Sequence, residues 1–340
     1  MQMFFERYVF DLRNMKDFLL FLRFILKVMK IVFLEPLGFT VESIEKACDD
    51  LKSQGHDIVI FPDKRPELNI ERAEGADIVV QTDMPMGKDF FDSCPTLKML
   101  AIAIVGLDHV DLDYCEKRGI LVRNAAGYST EAVAELTIGM MIGLYRHIVE
   151  NESITRRCHG CAILPGKEIS GKTVGIIGMG AIGRRTAELA KAFGCNILAW
   201  NRKPVDIEGV TFVGKETLLR ESDIVSLHIA LNEETRSFIS AKELAMMKKS
   251  AILINTARGG LVDTDDLAEA LKTNKIAGAA LDVYDGEPPL YYGLPPITKE
   301  NPLLSAPNTM LLPHIGFGTI EAKELRLKLV IENIEKFANN

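Results

Sequence analysis

A glycine-rich turn between an apolar run and a helical segment is the feature that most constrains the fold. Thr173–Ile177 has the sequence of a buried strand, and Gly178, Gly180 and Gly183 follow at the spacing G-x-G-x-x-G before a stretch with helical periodicity. These glycines permit a tight turn, the close approach of backbone to a pyrophosphate and the packing of helix on strand, while the helix N-terminus presents its N–H groups to the phosphates. The pattern predicts a dinucleotide-binding turn.

The residues of this turn and of the next strand end are the predicted cofactor contacts. NAD-preferring Rossmann enzymes place an acidic residue roughly 20 residues beyond the turn, where it binds the ribose 2′-OH. Here Asn201, Arg202 and Lys203 occupy that position, so a 2′-phosphate meets two cations and no carboxylate. The sequence therefore predicts that NADPH is used at least as well as NADH. The alternative is a solvated basic loop that tolerates NAD, with Asp206 or Glu208 reaching back. The predicted cofactor-binding residues are Gly178, Gly180, Ala181, Ile182, Gly183, Asn201, Arg202 and Lys203.

The length of the chain and the position of the turn predict two domains. A chain of 340 residues with 47% hydrophobic content has more apolar sequence than one core usually needs, and about half of it precedes the turn. Residues 30–124 alternate strand-like and helical segments, which predicts a parallel sheet with helices on both faces. The fold class is α/β, with two doubly wound parallel-sheet domains. Strands are predicted at 31–34, 57–61, 78–81, 99–105, 120–122, 173–177, 196–200, 211–213, 224–229, 251–255, 277–283 and 310–312, and helices at 41–52, 182–193 and from Ser129 through Ile148.

Charge and cysteine usage argue against several classes of partner. The net charge is −7 and there is no long basic run, so a nucleic-acid surface is not expected. The six cysteines are scattered and no cleavable secretory signal is recognisable, which favours a reducing cytoplasm. Cys158 and Cys161 form a C-x-x-C without a second ligand pair, so we predict a plain loop there and no metal site.

The first 28 residues fit no position in the two-domain scheme. Phe18–Val28 is apolar, but Arg23 and Lys27 interrupt it far short of the roughly 20 residues that a membrane span needs. Met29–Pro36 has the sequence of an opening strand. We therefore predict no membrane span and a dispensable extension outside the fold over residues 1–28; a basic amphipathic surface helix is the alternative.

Three polar side chains come directly after later predicted strands, at the edge where open α/β sheets bind ligands: Arg258, Glu287 and His314. Delivery of a hydride to a ketone leaves charge on oxygen, so a positioned acid must supply a proton. His314 is the predicted acid, and the Glu287 carboxylate favours and orients its imidazolium form. Arg258 can bind a substrate carboxylate while polarising the adjacent carbonyl.

The motifs around these residues closely resemble the signatures of the D-isomer-specific 2-hydroxyacid dehydrogenases. The resemblance runs from about the first predicted strand to the C-terminus, and it includes that family's substrate loop and interdomain helix. One departure is Ala230, where the family usually carries proline. The motifs are Val105–Asp111, Glu131–Glu135, Asn255–Gly259, Asp282–Pro288 and Pro313–Thr319.

This resemblance implies residue roles and a domain plan. It implies a flavodoxin-like substrate domain from residues 29–127 and 316–340, and a Rossmann NAD(P)-binding domain from 128–315 that carries the interdomain helix. It also implies a cleft between the two domains and a homodimer built around that helix. The implied catalytic residues are Arg258, Glu287 and His314. The backbone N–H groups of Val105 and Gly106 are the implied contacts of the substrate carboxylate. The implied nicotinamide contacts are Asp282, Thr256 and Ala257.

The substrate and the class of function stay open at this point. The sequence favours an NAD(P)-dependent D-2-hydroxyacid dehydrogenase that acts on a small anionic acid. The alternatives are an NAD(P)H-sensing corepressor, which would carry partner-binding tails, and a formate or phosphite dehydrogenase. Only 26 residues follow His314, so we expect no C-terminal regulatory domain. Glyoxylate, hydroxypyruvate, pyruvate and bulkier 2-oxo acids are all candidates. Loops such as Thr82–Pro85 should select among them, with Met84 and Met86 as an adaptable apolar wall or as core filler.

Overall fold

The chain divides into two compact units. The structure, a computed structural model, describes residues 28–157, 164–203, 206–287 and 297–339. The first unit runs to Ala126 and resumes at Glu324, and the second unit is Gly127–Lys323. Almost all of the predicted N-terminal extension, and the C-x-x-C of Cys158 and Cys161, lie outside the described residues.

The first unit is built on a five-stranded parallel sheet in the order β2-β1-β3-β4-β5. This is the flavodoxin-like order, in which the chain reverses direction across the sheet between β1 and β3. The three central strands, β1, β3 and β4, are short runs of mainly β-branched and aliphatic residues that are buried on both faces, as a sheet covered by helices requires, whereas the edge strands β2 and β5 are only partly buried. The elements are β1 (Lys30–Phe33), α1 (Val41–Ala47), α2 (Asp49–Ser53), β2 (Asp57–Ile60), α3 (Asn69–Arg72), β3 (Ile78–Gln81), α4 (Lys88–Ser93), β4 (Met99–Ile102), α5 (Leu112–Arg118) and β5 (Leu121–Asn124).

The C-terminal helix completes the core of the first unit from Glu324 onward. Val330 and Ile334 are fully buried. The Asn333 amide donates a hydrogen bond to the Asn124 carbonyl at the end of β5, over 3.0 Å between nitrogen and oxygen. A segment far away in sequence is thereby fixed to this sheet.

The second unit contains a seven-stranded parallel sheet in the order β12-β11-β10-β9-β6-β7-β8. Counted from β6, this is the Rossmann order, with the chain reversal between β6 and β9. Alternate strand residues enter different clusters: Val174 and Ile176 pack with α6, whereas Ile177 and Val225 pack on the opposite face. The elements are α6 (Thr130–Tyr145), α7 (Ile148–Arg157), β6 (Thr173–Ile177), α8 (Ala181–Ala192), β7 (Asn196–Trp200), β8 (Thr211–Phe212), α9 (Lys215–Glu221), β9 (Ile224–Leu227), α10 (Ala241–Leu244), β10 (Ile252–Asn255), α11 (Thr264–Lys272), β11 (Gly278–Leu281) and β12 (Thr309–Leu311). The C-terminal helix, α12 (Ile320–Ala338), starts in this unit and belongs to the first unit from Glu324 onward.

The two parallel sheets confirm the predicted fold class, but two predicted helices differ. The segment 41–52 is interrupted at Cys48, which ends α1 and precedes α2. The helical pattern from Ser129 stops at Tyr145, and His147 adopts a left-handed backbone with φ of 49° before α7 begins. No single helix among the described residues has the length and apolar character of a membrane span; only the bent pair α6 and α7 meets those two criteria jointly.

Candidate active site

The glycine turn has the shape that a dinucleotide requires. Gly178 has a φ of +100°, and a Cβ there would lie 2.4 Å from the His228 carbonyl oxygen. A Cβ on Gly183 would lie 1.9 Å from the Gly178 oxygen, so helix and strand approach too closely for any side chain. Gly180 is different: it is the N-cap of α8, no side chain caps it, and a Cβ there would meet nothing within 4 Å in the described residues. The space above Gly180 and the N–H groups of α8 therefore fit a pyrophosphate.

Met179 lies between Gly178 and Gly180, and side chains form hydrogen bonds with both its N–H and its carbonyl group. The Met179 N–H donates to Oδ1 of Asn201 over 3.3 Å, and the Met179 carbonyl accepts from Nε of Arg184 over 3.1 Å. The Asn201 amide also donates to the Lys203 carbonyl over 2.8 Å. Asn201 thus joins the glycine turn to the loop that carries Arg202 and Lys203, whose side chains are exposed.

His314 and Glu287 lie together at the carboxyl edge of the second sheet. β11 and β12 are neighbours, and the two residues follow them. The distance between His314 Nδ1 and Glu287 Oε1 is 3.2 Å, and the side chains are 23% and 18% exposed. The ring of Phe317 contacts the imidazole edge-on, with 5.6 Å between centroids. This arrangement leaves the imidazole partly accessible and orients it through a carboxylate.

Asp282 supports the turn that carries His314. It is buried, and its two carboxylate oxygens accept the N–H groups of Ile315 and Gly316 over 2.8 Å and 2.7 Å. Burial raises the pKa of Asp282, although these two hydrogen bonds act in the opposite direction. His314 has a φ of 55°, an uncommon conformation for a non-glycine residue, which this turn sustains. The sequence resemblance suggested only a nicotinamide contact for Asp282, so this supporting role was missed.

Arg258 lies in a tight turn after β10, the strand beside β11, and its guanidinium Nη1 donates to the Ala257 carbonyl over 2.8 Å. The Asn255 side chain closes the turn: its oxygen accepts the Ala257 N–H over 3.0 Å and its amide donates to the Arg258 carbonyl over 2.8 Å. A Cβ on Gly259 would lie 1.8 Å from the Tyr284 carbonyl carbon, so only glycine allows this close approach. Asn255 was not predicted as a site residue, although a strand-end asparagine before a turn is a recognisable signal for it.

Thr256 is tied to α6. Its hydroxyl lies 3.1 Å from that of Thr137, which itself donates to the Val133 carbonyl over 2.7 Å. Because a hydroxyl has a single hydrogen, Thr256 is the donor within this pair. The strand-end turn that bears Thr256, Ala257 and Arg258 is thereby fixed to the long helix of the same unit.

Val105 and Gly106 belong to the first unit, in the loop after β4. Val105 is 37% exposed, and its carbonyl accepts the Asn124 amide over 2.6 Å. Among the described residues, no hydrogen bond is formed by the backbone N–H of either residue. Met84 and Met86 are fully buried, which favours core filler over the apolar wall.

Comparison with known proteins places this arrangement in a family. The family profile described as D-isomer specific 2-hydroxyacid dehydrogenase, NAD binding domain, matches residues 138–316. A glyoxylate reductase of Thermofilum pendens is 39% identical over 303 residues, which are 86% of each chain. A glycerate dehydrogenase of Methylorubrum extorquens is 37% identical over 284 residues, covering 80% of this chain and 86% of its own. The crystal structure of a glyoxylate reductase from Paecilomyes thermophila superposes with a TM-score of 0.82 at 30% identity, covering 92% and 96% of the two chains.

The chain therefore belongs to the D-isomer-specific 2-hydroxyacid dehydrogenase family, as its motifs predicted. It is an oxidoreductase that transfers hydride between a nicotinamide cofactor and a 2-oxo or 2-hydroxy acid. A Rossmann sheet with an open glycine turn, and an oriented histidine at its carboxyl edge, are what that chemistry requires.

Proposed function

We propose that this protein reduces glyoxylate to glycolate, or a similarly small 2-oxo acid such as hydroxypyruvate to its D-2-hydroxy acid. The observation that carries the proposal is the His314–Glu287 pair at the carboxyl edge of the Rossmann sheet, with Nδ1 and Oε1 separated by 3.2 Å. The relatives that are named glyoxylate reductase, which match most of this chain, support glyoxylate as the first substrate to test.

His314 acts as the general acid in this proposal. When bound, the reduced nicotinamide supplies the hydride, which leaves negative charge on the former carbonyl oxygen. His314 donates a proton to that oxygen from its other ring nitrogen, Nε2, and the Glu287 carboxylate stabilises and orients the imidazolium beforehand. In the reverse direction the neutral imidazole accepts the proton. Glu287 is a positioning residue here, because it acts through the histidine.

The substrate carboxylate has two proposed binding groups. Arg258 presents a guanidinium fork from a turn that Asn255 and Gly259 hold in place, and such a fork suits bidentate binding of a carboxylate. We also propose Val105 and Gly106, in the loop after β4, as substrate-binding residues through their backbone N–H groups. We propose that residues 29–127 and 316–340 form the substrate domain and that residues 128–315 form the NAD(P)-binding domain.

The proposed cofactor is NADPH, with NADH as a weaker alternative. The strand-end position that usually holds an acidic residue is Asn201, and both ends of its side-chain amide are bound to backbone groups. Arg202 and Lys203 beside it are exposed and positively charged, so they can pair with a 2′-phosphate. Asp282, Thr256 and Ala257 are the proposed nicotinamide contacts, and Gly178, Gly180, Ala181, Ile182 and Gly183 hold the pyrophosphate.

We also propose a homodimer in a reducing compartment such as the cytoplasm. Ile148 and Val149 at the start of α7 are 51% and 54% exposed, which supports an apolar interface next to α6. The four described cysteines, Cys48, Cys94, Cys115 and Cys195, are buried free thiols, which supports a reducing setting.

Initial rates of NADPH and NADH oxidation against a panel of 2-oxo acids test the function. We expect glyoxylate and hydroxypyruvate to be reduced with kcat/KM at least tenfold above that for bulky 2-oxo acids, an expectation for pockets that exclude larger side chains. Formate and phosphite, tested as hydride donors with NAD(P)+, should give no turnover. NAD(P)H binding without turnover of any acid would support the corepressor-like alternative instead.

A further inference from the structure

The loop after β4 carries the two backbone N–H groups that are proposed to bind the substrate carboxylate, and the end of β5 holds this loop. The Ile104 carbonyl accepts the Ala125 N–H over 3.2 Å, and the Val105 carbonyl accepts the Asn124 side-chain amide over 2.6 Å. Asn124 ends β5, which lies beside β4 with Asn124 opposite Ile102. The end of one strand therefore fixes two successive peptide units of the loop.

The geometry of the peptide bond turns these carbonyl contacts into a direction for the N–H groups. A trans peptide is planar, and its N–H points opposite to its C=O. The described residues contain no cis peptide bond. The Val105 N–H shares a peptide unit with the Ile104 carbonyl, and the Gly106 N–H shares one with the Val105 carbonyl. Both N–H groups are therefore directed away from the end of β5, towards the same side of the loop.

Two successive N–H groups on one side of a turn form an anion-binding arrangement. Neither the Val105 N–H nor the Gly106 N–H forms a hydrogen bond with any other part of the chain that the structure describes. Val105 is 37% exposed, so a small ligand can reach this peptide. A carboxylate has two oxygens that only accept, which suits two parallel donors.

Asn124 supports this arrangement through its side chain, whereas Ala125 does so through its backbone. A backbone N–H is available from nearly any residue, but the Val105 carbonyl needs a side-chain donor, since a carbonyl oxygen only accepts hydrogen bonds. Asn124 is itself held in place, because its own carbonyl accepts the Asn333 amide of α12 over 3.0 Å. The donor that faces Val105 thus stands on a backbone that is fixed by both β5 and the C-terminal helix.

The far end of the same loop is fixed independently of Asn124. Gln81, at the end of β3, is fully buried; its Oε1 accepts the Met84 N–H over 2.7 Å, and its Nε2 lies 3.1 Å from Nε2 of His109. The Met86 N–H also donates to the His109 carbonyl over 2.9 Å. Loss of the Asn124 amide should therefore change the orientation of one peptide unit without unfolding the loop.

We infer that Asn124 is a positioning residue for substrate binding, whose amide orients the Val105–Gly106 peptide so that the Gly106 N–H faces the carboxylate of the 2-oxo acid. The inference rests on the proposed function and deepens it. Without the amide the peptide unit can rotate, and its carbonyl oxygen then turns towards the carboxylate and repels it. The carboxylate does not react, so its binding contributes alike to the ground state and the transition state, and the loss should appear in KM.

The test compares the steady-state kinetics of glyoxylate reduction in Asn124→Leu and in the wild type. Leucine has nearly the size of asparagine, lacks the donor and adds no charge. We expect KM to rise about tenfold or more while kcat stays within about threefold, because a hydrogen bond to a charged group is lost. Oxamate, an unreactive analogue of glyoxylate with the same carboxylate, should bind the enzyme–NADPH complex more weakly by about the same factor. The affinity for NADPH alone should not change.

Three further variants separate this role from a general effect on the fold. Asn124→Ala, which lacks the donor and adds no bulk, should reproduce the values of Asn124→Leu. Asn124→Gln keeps an amide donor, so its KM should lie closer to the wild-type value than to that of Asn124→Leu. Asn151→Leu is the matched control: it removes an amide that donates to the Leu164 carbonyl over 3.2 Å, and it should leave the KM for glyoxylate unchanged.

The outcomes distinguish this inference from the proposed function. A KM within about twofold of the wild-type value in Asn124→Leu and Asn124→Ala, or a loss confined to kcat, would overturn the inference while leaving the proposed function intact. Failure of the wild type to reduce any 2-oxo acid would overturn the proposed function, and this inference with it.

Discussion

Nδ1 of His314 lies 3.2 Å from Oε1 of Glu287, and the two residues follow neighbouring parallel strands. Asp282 holds the turn that carries His314 in place by accepting the N–H groups of Ile315 and Gly316. One carboxylate therefore orients the histidine through its side chain, and another through the backbone of the two residues that follow it.

Glu287→Gln should slow proton transfer while leaving cofactor binding intact. The amide retains the shape of the side chain but removes the negative charge that faces Nδ1 of His314 over 3.2 Å. The single-turnover rate of 2-oxo acid reduction should therefore fall by about tenfold or more, while the affinity for NADPH stays at the wild-type value. Asp285→Asn, which changes an exposed carboxylate of the same loop, is the control. A wild-type rate of reduction in Glu287→Gln would reject the pairing.

Substitution by alanine should have different effects at Gly180 and Gly259. Gly180→Ala should leave the melting temperature nearly unchanged, because a Cβ there meets nothing within 4 Å among the described residues, but it should weaken NADPH binding at least tenfold. Gly259→Ala should cost about 3 kcal/mol or more in unfolding free energy, because its Cβ would lie 1.8 Å from the Tyr284 carbonyl carbon. Thermal unfolding and fluorescence titration with NADPH measure the two effects. Unchanged NADPH affinity in Gly180→Ala would argue against the proposed pyrophosphate site.

Cofactor preference should depend on the loop after β7. The double variant Arg202→Ala, Lys203→Ala should lose NADPH efficiency about tenfold or more while NADH efficiency changes little, because only the 2′-phosphate needs these cations. Asn201→Asp should also shift the cofactor preference towards NADH, since a carboxylate at this position repels the 2′-phosphate of NADPH. Comparable NADPH efficiency in the wild type and the double variant would contradict the phosphate contact.

His228 should make the fold sensitive to acid. Burial lowers its pKa to about 4 from the usual 6.5, and its Nε2 lies 2.9 Å from the Ser226 hydroxyl. A folded pKa below the unfolded one contributes stability that is complete above pH 6.5 and is lost as the pH falls towards 4. His228→Asn should therefore flatten the decline of unfolding free energy in that window by up to about 3 kcal/mol. His147→Asn, at a positive φ that asparagine tolerates, is the control; an identical decline in His228→Asn and wild type would contradict the assignment.

The sequence predicted the elements that local patterns determine and missed those that depend on tertiary contacts. Apolar runs such as Ile78–Gln81 and the glycine turn carry their own signal, so both sheets and the dinucleotide-binding turn were predictable. The end of α6 at Tyr145 was not predictable, because the apolar spacing continues to Ile148. The backbone nevertheless bends by 58° between α6 and α7, at the left-handed His147.

Local sequence patterns also could not predict which residues support the site. Asp282 accepts N–H groups from residues more than thirty positions away, and Asn124 meets the Val105 carbonyl only when β4 and β5 lie side by side. Strand-end position predicted His314 and Glu287 as candidates, but their separation of 3.2 Å is a property of the folded sheet.

The central claim, that His314 is the acid of hydride transfer to a 2-oxo acid, is tested most directly by single-turnover rates of His314→Asn. Asparagine tolerates the left-handed backbone at this position, so the turn should persist while the proton donor is lost. We predict that glyoxylate reduction and glycolate oxidation both fall by roughly 10² to 10⁴ while the affinity for NADPH stays at the wild-type value. Wild-type rates of hydride transfer in this variant would contradict the account.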